Sequence, residues 1–383
     1  MGAYLNSKRP YTLFKSETVK PYFVDKSTIL KELFPLIQEG NNYICLTRPR
    51  RFGKTVMANL IGAFLSKAQS SEDLFDALAI ARDPLYRHYL NRHDVIYISF
   101  NEAPADCNHY ARYIERIQRR LIRDLKAAYP QCDIDEDEAV WDALTDIYET
   151  QSDVRFVFIL DEWDYLFHQD FATDEDKEQF IAFLSHLLKD KPYVSLAYMT
   201  GILPIAKYSS GSELNMFGEF TMAAEAKFSD YFGFTEREVD VLYQRYLSRT
   251  VEPKVTRDGL RTWYDGYHTR SGERVYNPRS VVVSLSNDNL GNYWTSAGPY
   301  DEIFYYIEKN VDEVRDDLAS MVAGEAVPAK VREYAATSTN LQTKDEIFSA
   351  MVVYGFLSYE NGKVSIPNKE LMDMFADMQA PPV

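Results

Sequence analysis

The chain has 383 residues, enough for two or three domains at roughly 100–200 residues each. Its net charge of −16 argues against a protein that binds nucleic acid through an overall basic surface, so any such contact would need a local basic patch. No apolar run reaches the roughly 18 residues of a membrane span, the N-terminus lacks the apolar stretch of a secretory signal, and the three cysteines lack the spacing of a zinc site. These features predict a reduced, cytoplasmic protein without membrane contact.

The N-terminal segment predicts a helix, a strand and a second helix. Asp25 and Ser27 are candidate caps for a helix over Thr28–Phe34. A short apolar strand over Asn42–Leu46 leads into LTRPRRFGKT, and the apolar residues that follow have helical spacing. A strand, a loop and a helix in this order are the context in which Gly-Lys-Thr ends a phosphate-binding loop.

Further apolar runs alternate with helical patterns up to about residue 230. They predict strands at Asp94–Phe100, Arg155–Leu160, Tyr193–Thr200 and near Glu219–Ala224, and helices at Tyr110–Ala128, Asp137–Thr150 and Asp174–Lys189. This alternation predicts an α/β fold of the P-loop NTPase type, in which helices cover both faces of a parallel sheet.

The pattern becomes mostly helical after YFGFTEREV. Thr235 and Glu238 form a capping box for a helix over Glu236–Tyr246. The segment YDGYHTRSGERVYNPRS predicts loops, and Asn277 caps a helix that has Pro278 at its first position.

A hairpin and a helix end the chain. Asn361-Gly362 is a type I′ turn signal between two alternating strands, and Asn368 can cap a last helix over Lys369–Met378. Helix, hairpin and helix together are compatible with a winged-helix-like end. We therefore expect a P-loop domain over residues 1–230 and a helical lid with this ending over residues 231–383.

The segment RPRRFGKT has the chemistry of a phosphate-binding loop except near its start. Gly53 allows a close backbone approach, Lys54 can neutralise the β- and γ-phosphates, and Thr55 can hold Mg²⁺. The general motif has a glycine where this chain has Arg48. Because Gly-Lys-Thr also occurs by chance, the surrounding features must decide whether this loop binds phosphate.

A Walker B pattern is present in VFILDEWD, where four apolar residues precede Asp161 and Glu162. Asp161 can hold Mg²⁺ directly or through water, and Glu162 can polarise the attacking water. The alternative is a buried strand that ends in a solvated acidic turn. Thr200 ends the next strand, and we expect this strand to lie between the loop strand and the Walker B strand. The Thr200 side chain either senses the γ-phosphate or caps the turn before Gly201. The acidic pair and the inserted strand separate this class from nucleotide kinases and GTPases.

These residues resemble the bacterial AAA-ATPase-like family. The resemblance lies in RPRRFGKT, ILDEWD, MTGILPIAKY, LNMFGEFTM, YFGFTEREV, WYDGY and YNPRS, in YFVDKS before them and in GFLSYENGKVSIPNKE after them. The resemblance covers roughly residues 8–372. In that family the loop commonly begins Arg-Pro-Arg-Arg-Phe-Gly-Lys, so an arginine at position 48 is the family's own variant of the general motif. The resemblance implies an ATP-binding, ATP-hydrolysing domain. Many relatives carry a PD-(D/E)XK nuclease-like domain after this segment, and we expect none within these residues.

The motifs and the resemblance together give a set of candidate site residues. The catalytic candidates are Glu162, Lys54 and Thr200; the Mg²⁺ ligands are Thr55 and Asp161; the nucleotide-binding residues are Arg48, Pro49, Arg50, Arg51, Phe52, Gly53, Lys54, Thr55, Val56 and Asp161.

Several other residues have both a functional and a structural interpretation. The three loop arginines could clamp phosphates, serve an inter-domain role or pair with surface carboxylates, and Pro49 stiffens a loop that is poor in glycine. Arg279 could be a lid arginine or simply part of a helix start, and Tyr22 and Phe23 could stack on adenine or pack in the core. The helix over Tyr110–Ala128 has one face that carries Arg112, Arg116, Arg119 and Arg123. This face could contact a phosphate backbone, or it could be a solvated surface with Glu115 and Asp124 as acidic neighbours.

The sequence thus predicts a Mg²⁺-dependent ATPase in which hydrolysis changes the angle between the two domains. An unknown protein or nucleic acid is its expected effector, and homo-oligomerisation stays open. The first alternative is a nucleotide-binding interaction module with little or no hydrolysis, because no arginine finger is evident. A small-molecule kinase is a weaker alternative, because the sequence reveals no acceptor pocket.

Overall fold

The computed structural model describes residues 2–103, 107–151, 154–205, 212–222, 226–294, 314–331, 341 and 343–379. The chain forms two compact units: the first comprises Met1–Leu46, Lys54–Gly201 and Tyr208–Glu219, and the second comprises Thr47–Gly53, Ile202–Lys207 and Phe220–Val383. The domain boundary expected at residue 230 stays a prediction.

The first unit is an α/β structure. Its helices are α1 (Arg9–Thr18), α2 (Ile29–Glu39), α3 (Lys54–Leu65), α4 (Glu72–Phe75), α5 (Tyr86–Tyr89), α6 (Tyr110–Ala128), α7 (Val140–Thr150) and α8 (Asp174–Leu188). The strands of its sheet are β1 (Asn42–Thr47), β2 (Asp94–Ser99), β3 (Phe156–Asp161), β4 (Val194–Gly201) and β5 (Gly218–Phe220). The predicted α/β fold is confirmed; residues 223–225, at the end of the predicted fifth strand, lie outside the described residues.

The strands have the order β2-β3-β4-β1-β5. Pairing is parallel from β2 to β3 and from β3 to β4, with Ser99 opposite Asp161 and Leu160 opposite Met199. Every residue of β2, β3 and β4 is buried, which explains why these strands are nearly continuous apolar runs. The strand that carries Thr200, β4, thus lies between β1 and β3, as predicted.

The second unit is mostly helical, as predicted, and adds two small sheets. Its helices are α9 (Glu236–Arg249), α10 (Arg257–Tyr264), α11 (Pro278–Asn287), α12 (Lys344–Tyr354) and α13 (Lys369–Gln379), and residues 314–322 are also helical. Its strands are β6 (Phe234–Thr235), β7 (Tyr267–His268), β8 (Arg274–Tyr276), β9 (Val327–Pro328), β10 (Ser358–Glu360) and β11 (Lys363–Ser365), in the orders β6-β8-β7 and β10-β11-β9. The segment expected to form loops therefore contains β7 and β8. Two or three residues are too few for a strand period to appear in the sequence.

The capping box and the hairpin turn predicted for the second unit are present in the structure. The Thr235 hydroxyl accepts from the Glu238 N–H at 3.3 Å, and the Glu238 carboxylate accepts from the Thr235 N–H at 2.8 Å. Asn361 and Gly362 have φ of 50° and 80°, as a type I′ turn requires. The hairpin β10–β11 lies in sequence between α12 and α13, in the predicted order of helix, hairpin and helix.

One predicted cap was wrong. The α2 helix begins at Ile29, and Asp25 and Ser27 do not cap it. The Asp25 carboxylate instead accepts from the Ala79 N–H at 2.6 Å, and the Ser27 hydroxyl accepts from the Ile80 N–H at 3.1 Å. These side chains therefore satisfy the first N–H groups of a distant single turn, which sequence spacing cannot indicate.

Candidate functional site

The loop between β1 and α3 ends at an open position. Gly53 has φ of 89°, in the left-handed region, and a Cβ atom placed there would have no neighbour within 4 Å among the described residues. Lys54 follows as the first residue of α3 and is only 8% exposed. The N–H groups of a first helical turn and the helix dipole favour an anion, so the start of α3 offers the environment that a phosphate needs.

Asp161 ends β3 as a fully buried carboxylate. Its Oδ1 accepts a hydrogen bond from the Thr200 hydroxyl at 3.1 Å, whereas its Oδ2 has no hydrogen-bond partner among the described residues. Burial raises the pKa of Asp161, and the nearby Thr55, Thr200 and Lys54 lower it in part. The site therefore brings together four of the predicted residues and leaves one buried carboxylate oxygen available for a cation.

Glu162 follows directly and adopts φ of 53°. Burial raises its pKa, and the charge of Asp161 adds to that rise, while Lys54 and Asn101 act in the opposite direction. A carboxylate whose pKa lies above its usual value is a stronger base at neutral pH. The side chain therefore has the property required to accept a proton.

Sequence analysis did not identify Asn101. It follows β2, and its side-chain oxygen accepts from the Ser99 hydroxyl at 2.8 Å. Ser99 lies opposite Asp161 in the parallel register, so Asn101 comes after the strand next to β3. The available signal was a polar residue immediately after a strand that neighbours the acidic pair, and the strand order needed to use it was unknown.

The turn after β3 also depends on a close approach by β4. A Cβ atom on Gly201 would lie 2.5 Å from Cδ1 of Trp163 and 2.6 Å from Oδ1 of Asp164. The Trp163 N–H donates to the Thr200 carbonyl at 3.0 Å. Glycine at position 201 thus lets the ends of β3 and β4 approach closely, which fixes Thr200 beside Asp161.

Two of the three loop arginines point to backbone carbonyls. The Arg48 side chain is 1% exposed; its Nη1 donates to the carbonyls of Thr47 and Phe220, each at 2.7 Å, and its guanidinium lies 4.9 Å from the Phe232 ring centroid. Nη1 of Arg51 donates to the Tyr293 carbonyl at 2.9 Å. These contacts are made with backbone carbonyls, and a phosphate role for the loop arginines stays a prediction.

Apolar packing holds the rest of this loop within the second unit. The Phe52 ring packs edge-on against Tyr267, with 4.9 Å between centroids. A Cβ atom on Gly355 would lie 2.6 Å from Cβ of Pro49, so Pro49 packs directly on the end of α12. These contacts explain how a loop with one glycine can hold a defined conformation.

The remaining candidates lie in ordinary structural surroundings. Tyr22 is buried, and the Phe23 ring packs edge-on against Phe14. On α6, Arg119 pairs with Glu115. Asp124 is not a surface neighbour of these arginines as expected, because it is buried and accepts the Tyr4 and Leu5 N–H groups. Arg279 is exposed on α11.

A parallel sheet with a phosphate-loop segment after β1 and an acidic pair after β3 defines a P-loop NTPase fold. The family model described as Predicted AAA-ATPase matches residues 14–210, and the chain belongs to this family. Membership places the chain among predicted ATPases. No curated protein matches the chain.

Three solved structures are similar to the chain at low identity. A Walker-type ATPase of Pyrococcus abyssi is 13% identical, with a TM-score of 0.46 over 92% of this chain and 94% of that one. The ORC2 protein of Aeropyrum pernix, solved with ADPNP and ADP, is 12% identical, with a TM-score of 0.37 over 99% and 97%. A signal transduction ATPase with numerous domains from Pyrococcus horikoshii is 12% identical, with a TM-score of 0.31 over 91% of this chain and 42% of that one.

The described residues contain neither a helix suited to span a membrane nor a cluster of metal-binding side chains. No helix in that part of the chain combines the length and the apolar character needed to cross a membrane. No group of three or more His, Cys, Asp or Glu side chains there is arranged to hold a metal ion.

Proposed function

We propose that this chain binds ATP together with Mg²⁺ and hydrolyses it. The observation that carries the proposal is the buried Asp161 carboxylate, with one oxygen held by Thr200 and the other without a partner among the described residues. Lys54 and Thr55, at the start of α3, are close enough to lower the pKa of that carboxyl. P-loop NTPases bind phosphate and Mg²⁺ with such a lysine, a hydroxyl next to it and a carboxylate at the end of a neighbouring strand.

The residues present suit a magnesium ion bound to nucleotide. Mg²⁺ is usually held by one or two protein oxygens, with water and phosphate oxygens as its other ligands. Thr55 and Asp161 would supply the protein oxygens, and the free Oδ2 of Asp161 gives a carboxylate oxygen for this role. When bound, the ion would neutralise charge on the phosphates.

The protein side chains have distinct roles in this proposal. Lys54 would bind the β- and γ-phosphate oxygens, and residues 48–53 with Val56 would surround the phosphates. Glu162 would accept a proton from the water whose oxygen bonds to the γ-phosphorus, while the bond to the β,γ-bridging oxygen breaks and ADP leaves. Thr200 would keep Asp161 oriented and sense the γ-phosphate. Hydrolysis would drive a conformational switch that a protein or nucleic-acid effector reads.

The second candidate is a nucleotide-binding interaction module that hydrolyses ATP slowly or not at all. Glu162 favours hydrolysis, because burial and the Asp161 charge raise its pKa toward the working range of a general base. An ATPase that acts on an effector should turn over faster when DNA is added or when the chain self-associates. A static module should not respond.

ATP turnover and ATP affinity of Glu162→Gln test the proposal. We expect turnover to fall about 100-fold or more, the usual contribution of a general base, while Mg-ATP affinity changes by less than about 3-fold. The matched control is Glu175→Gln, an exposed change in the first turn of α8 that should leave both unchanged.

Each outcome selects between the candidates. Full turnover in Glu162→Gln would contradict the assignment of the base. Binding without turnover in the wild type, with or without added DNA, would favour the interaction module. A wild-type chain that binds no ATP would contradict both.

A further inference from the structure

A buried carboxylate of the last helix faces a segment that contacts the loop. Glu370, in the first turn of α13, is 1% exposed. Its Oε1 accepts the backbone N–H groups of Tyr293 at 2.5 Å and Trp294 at 2.6 Å, and its Oε2 accepts the Ser280 hydroxyl at 2.9 Å. Burial raises the pKa of Glu370, while these hydrogen bonds and the charge of Arg51 lower it in part. The carboxylate thus organises the backbone at residues 293 and 294.

Arg51 binds the other side of the same backbone. Its Nη1 donates to the Tyr293 carbonyl at 2.9 Å and also to the Trp294 carbonyl. The Tyr293 carbonyl and the Trp294 N–H belong to one peptide group, and a trans peptide directs these two groups in opposite directions. Glu370 and Arg51 therefore bind opposite ends of one peptide, with the negative charge at its N–H and the positive charge at its C=O. Each charge strengthens the hydrogen bond of the other by polarising the peptide.

The loop needs such support because its backbone is strained. Arg51 has φ of 69°, a left-handed conformation that is unfavourable for a residue with a Cβ atom. A second contact supports the same stretch, since Nε1 of Trp294 donates to the Arg50 carbonyl at 3.2 Å. Tyr293 and Trp294 thus bind the loop at two successive residues, Arg50 and Arg51, which precede Phe52 and Gly53.

We propose that Glu370 is a positioning residue for nucleotide binding. Through the Tyr293–Trp294 peptide and Arg51, it holds residues 50–53 in the conformation that receives phosphate. This inference rests on the proposed function for its consequence, ATP affinity, but the loop conformation can be measured without nucleotide. Its test can therefore be separated from the test of the ATPase itself.

Hydrogen exchange of the nucleotide-free chain tests the connection. In Glu370→Ala we expect the amides of residues 50–53 to exchange about 10-fold faster, because the peptide that binds Arg51 loses its acceptor. Glu370→Gln should stay within about 3-fold of wild type, because its amide oxygen can accept both N–H groups and its NH₂ can donate to Ser280. The matched control is Glu238→Ala, which also removes a first-turn acceptor of a second-unit helix.

Arg51→Ala tests the same connection from the loop side. It should speed loop exchange as much as Glu370→Ala does, and the double variant should add nothing further. Unchanged exchange in Arg51→Ala would overturn the inference even if Glu370→Ala did not fold. Equal acceleration in Glu370→Ala and Glu238→Ala would overturn it too, because the effect would then be general loss of stability.

ATP affinity gives the functional consequence. Glu370→Ala should bind Mg-ATP about 10-fold more weakly, and Glu370→Gln within about 3-fold of wild type. Wild-type affinity in a Glu370→Ala chain with a loosened loop would refute the positioning role. Absence of ATP binding by the wild type would instead refute the proposed function, and the exchange data would still decide whether Glu370 orders the loop.

Discussion

The carboxylate of Asp161 lies fully buried at the end of β3, where only one of its oxygens has a hydrogen bond among the described residues. Burial makes the ionised form unfavourable and so raises the pKa. Proteins retain such groups where they bind or react, because the fold alone gains little from them. Asp161 is thus the residue at which stability and the proposed function oppose each other.

Asp161→Asn should make the nucleotide-free chain more stable at pH 7, by about 1 kcal/mol, since it removes a buried charge with an unsatisfied oxygen. The pKa of Asp161 is higher in the folded chain than in the unfolded chain, where it is about 3.9. The wild type therefore loses stability as the pH rises from about 3.9 through the folded-state pKa, and Asp161→Asn does not. The gain should therefore vanish below about pH 3.9. Urea unfolding at a series of pH values measures it.

The exposed Asp133→Asn is the control for that series and should follow wild type at every pH. A lower stability of Asp161→Asn at pH 7 would mean that the carboxylate is better compensated by Lys54 than its burial implies. The same variant should lose the Mg²⁺ dependence of ATP binding.

The sequence identified the residues of the site that lie in contiguous motifs. Lys54 and Thr55 follow from the loop, and Asp161 and Glu162 from the end of an apolar run; the structure brings Lys54, Thr55, Asp161 and Thr200 together. Their roles in binding and catalysis stay predictions. Asn101 and Glu370 could not be identified from the sequence, because each one interacts with residues that only the folded chain brings next to it.

At the level of elements, the long strands of the first unit and the hairpin β10–β11 could be predicted, whereas the strands β7 and β8 of the second unit could not. β2, β3 and β4 are buried on both faces, so burial dictates a continuous apolar sequence that is easy to detect. β7 and β8, in the segment YDGYHTRSGERVYNPRS, have only two and three residues, and β8 pairs with β6 and β7. The prediction of loops there was wrong for this reason.

The end of α12 offers a test of how tightly the loop is packed. Gly355 has φ of 86° and Gly362 has φ of 80°, so alanine at either position meets the same backbone penalty of about 1–2 kcal/mol. The new Cβ at Gly355 would also meet Cβ of Pro49, at 2.6 Å, whereas at Gly362 no atom of the described part of the chain lies within 4 Å. We expect Gly355→Ala to lose about 1–3 kcal/mol more than Gly362→Ala, the usual penalty for overpacking.

Denaturant unfolding of the two glycine variants measures this difference directly. Equal losses would show that Pro49 yields without cost, and the loop would then be less constrained by α12 than the structure indicates. Loop exchange should rise in Gly355→Ala and stay unchanged in Gly362→Ala.

At the level of the whole molecule, the loop residues before Lys54 belong to the second unit by their contacts, although they follow β1 of the first unit in sequence. Arg51 binds a segment near residue 294, and that segment binds Glu370 near the end of the chain. Sequence order alone would place the loop in the first domain. Contacts between residues so far apart in the chain leave no periodic pattern in a single sequence.

Thermal unfolding with and without Mg-ATP tests binding independently of turnover. A ligand that binds only the folded chain stabilises it by about 2.7 kcal/mol at 100 times its Kd. We expect Lys54→Ala to lose most of this stabilisation, because the ammonium at the start of α3 no longer offsets the phosphate charge. Glu162→Gln should keep it, since Glu162 is proposed to act on the water and not on the phosphates.

Lys126→Ala is the control, because Lys126 lies on α6 and pairs with Glu136. Removing this lysine should leave the ATP-induced shift intact. A shift of wild-type size in Lys54→Ala would place the nucleotide away from this loop, and the assignment of residues 48–56 would fail as a whole. A shift lost in Lys54→Ala but kept in Glu162→Gln would separate the binding of phosphate, which we propose for the start of α3, from the chemistry that follows it.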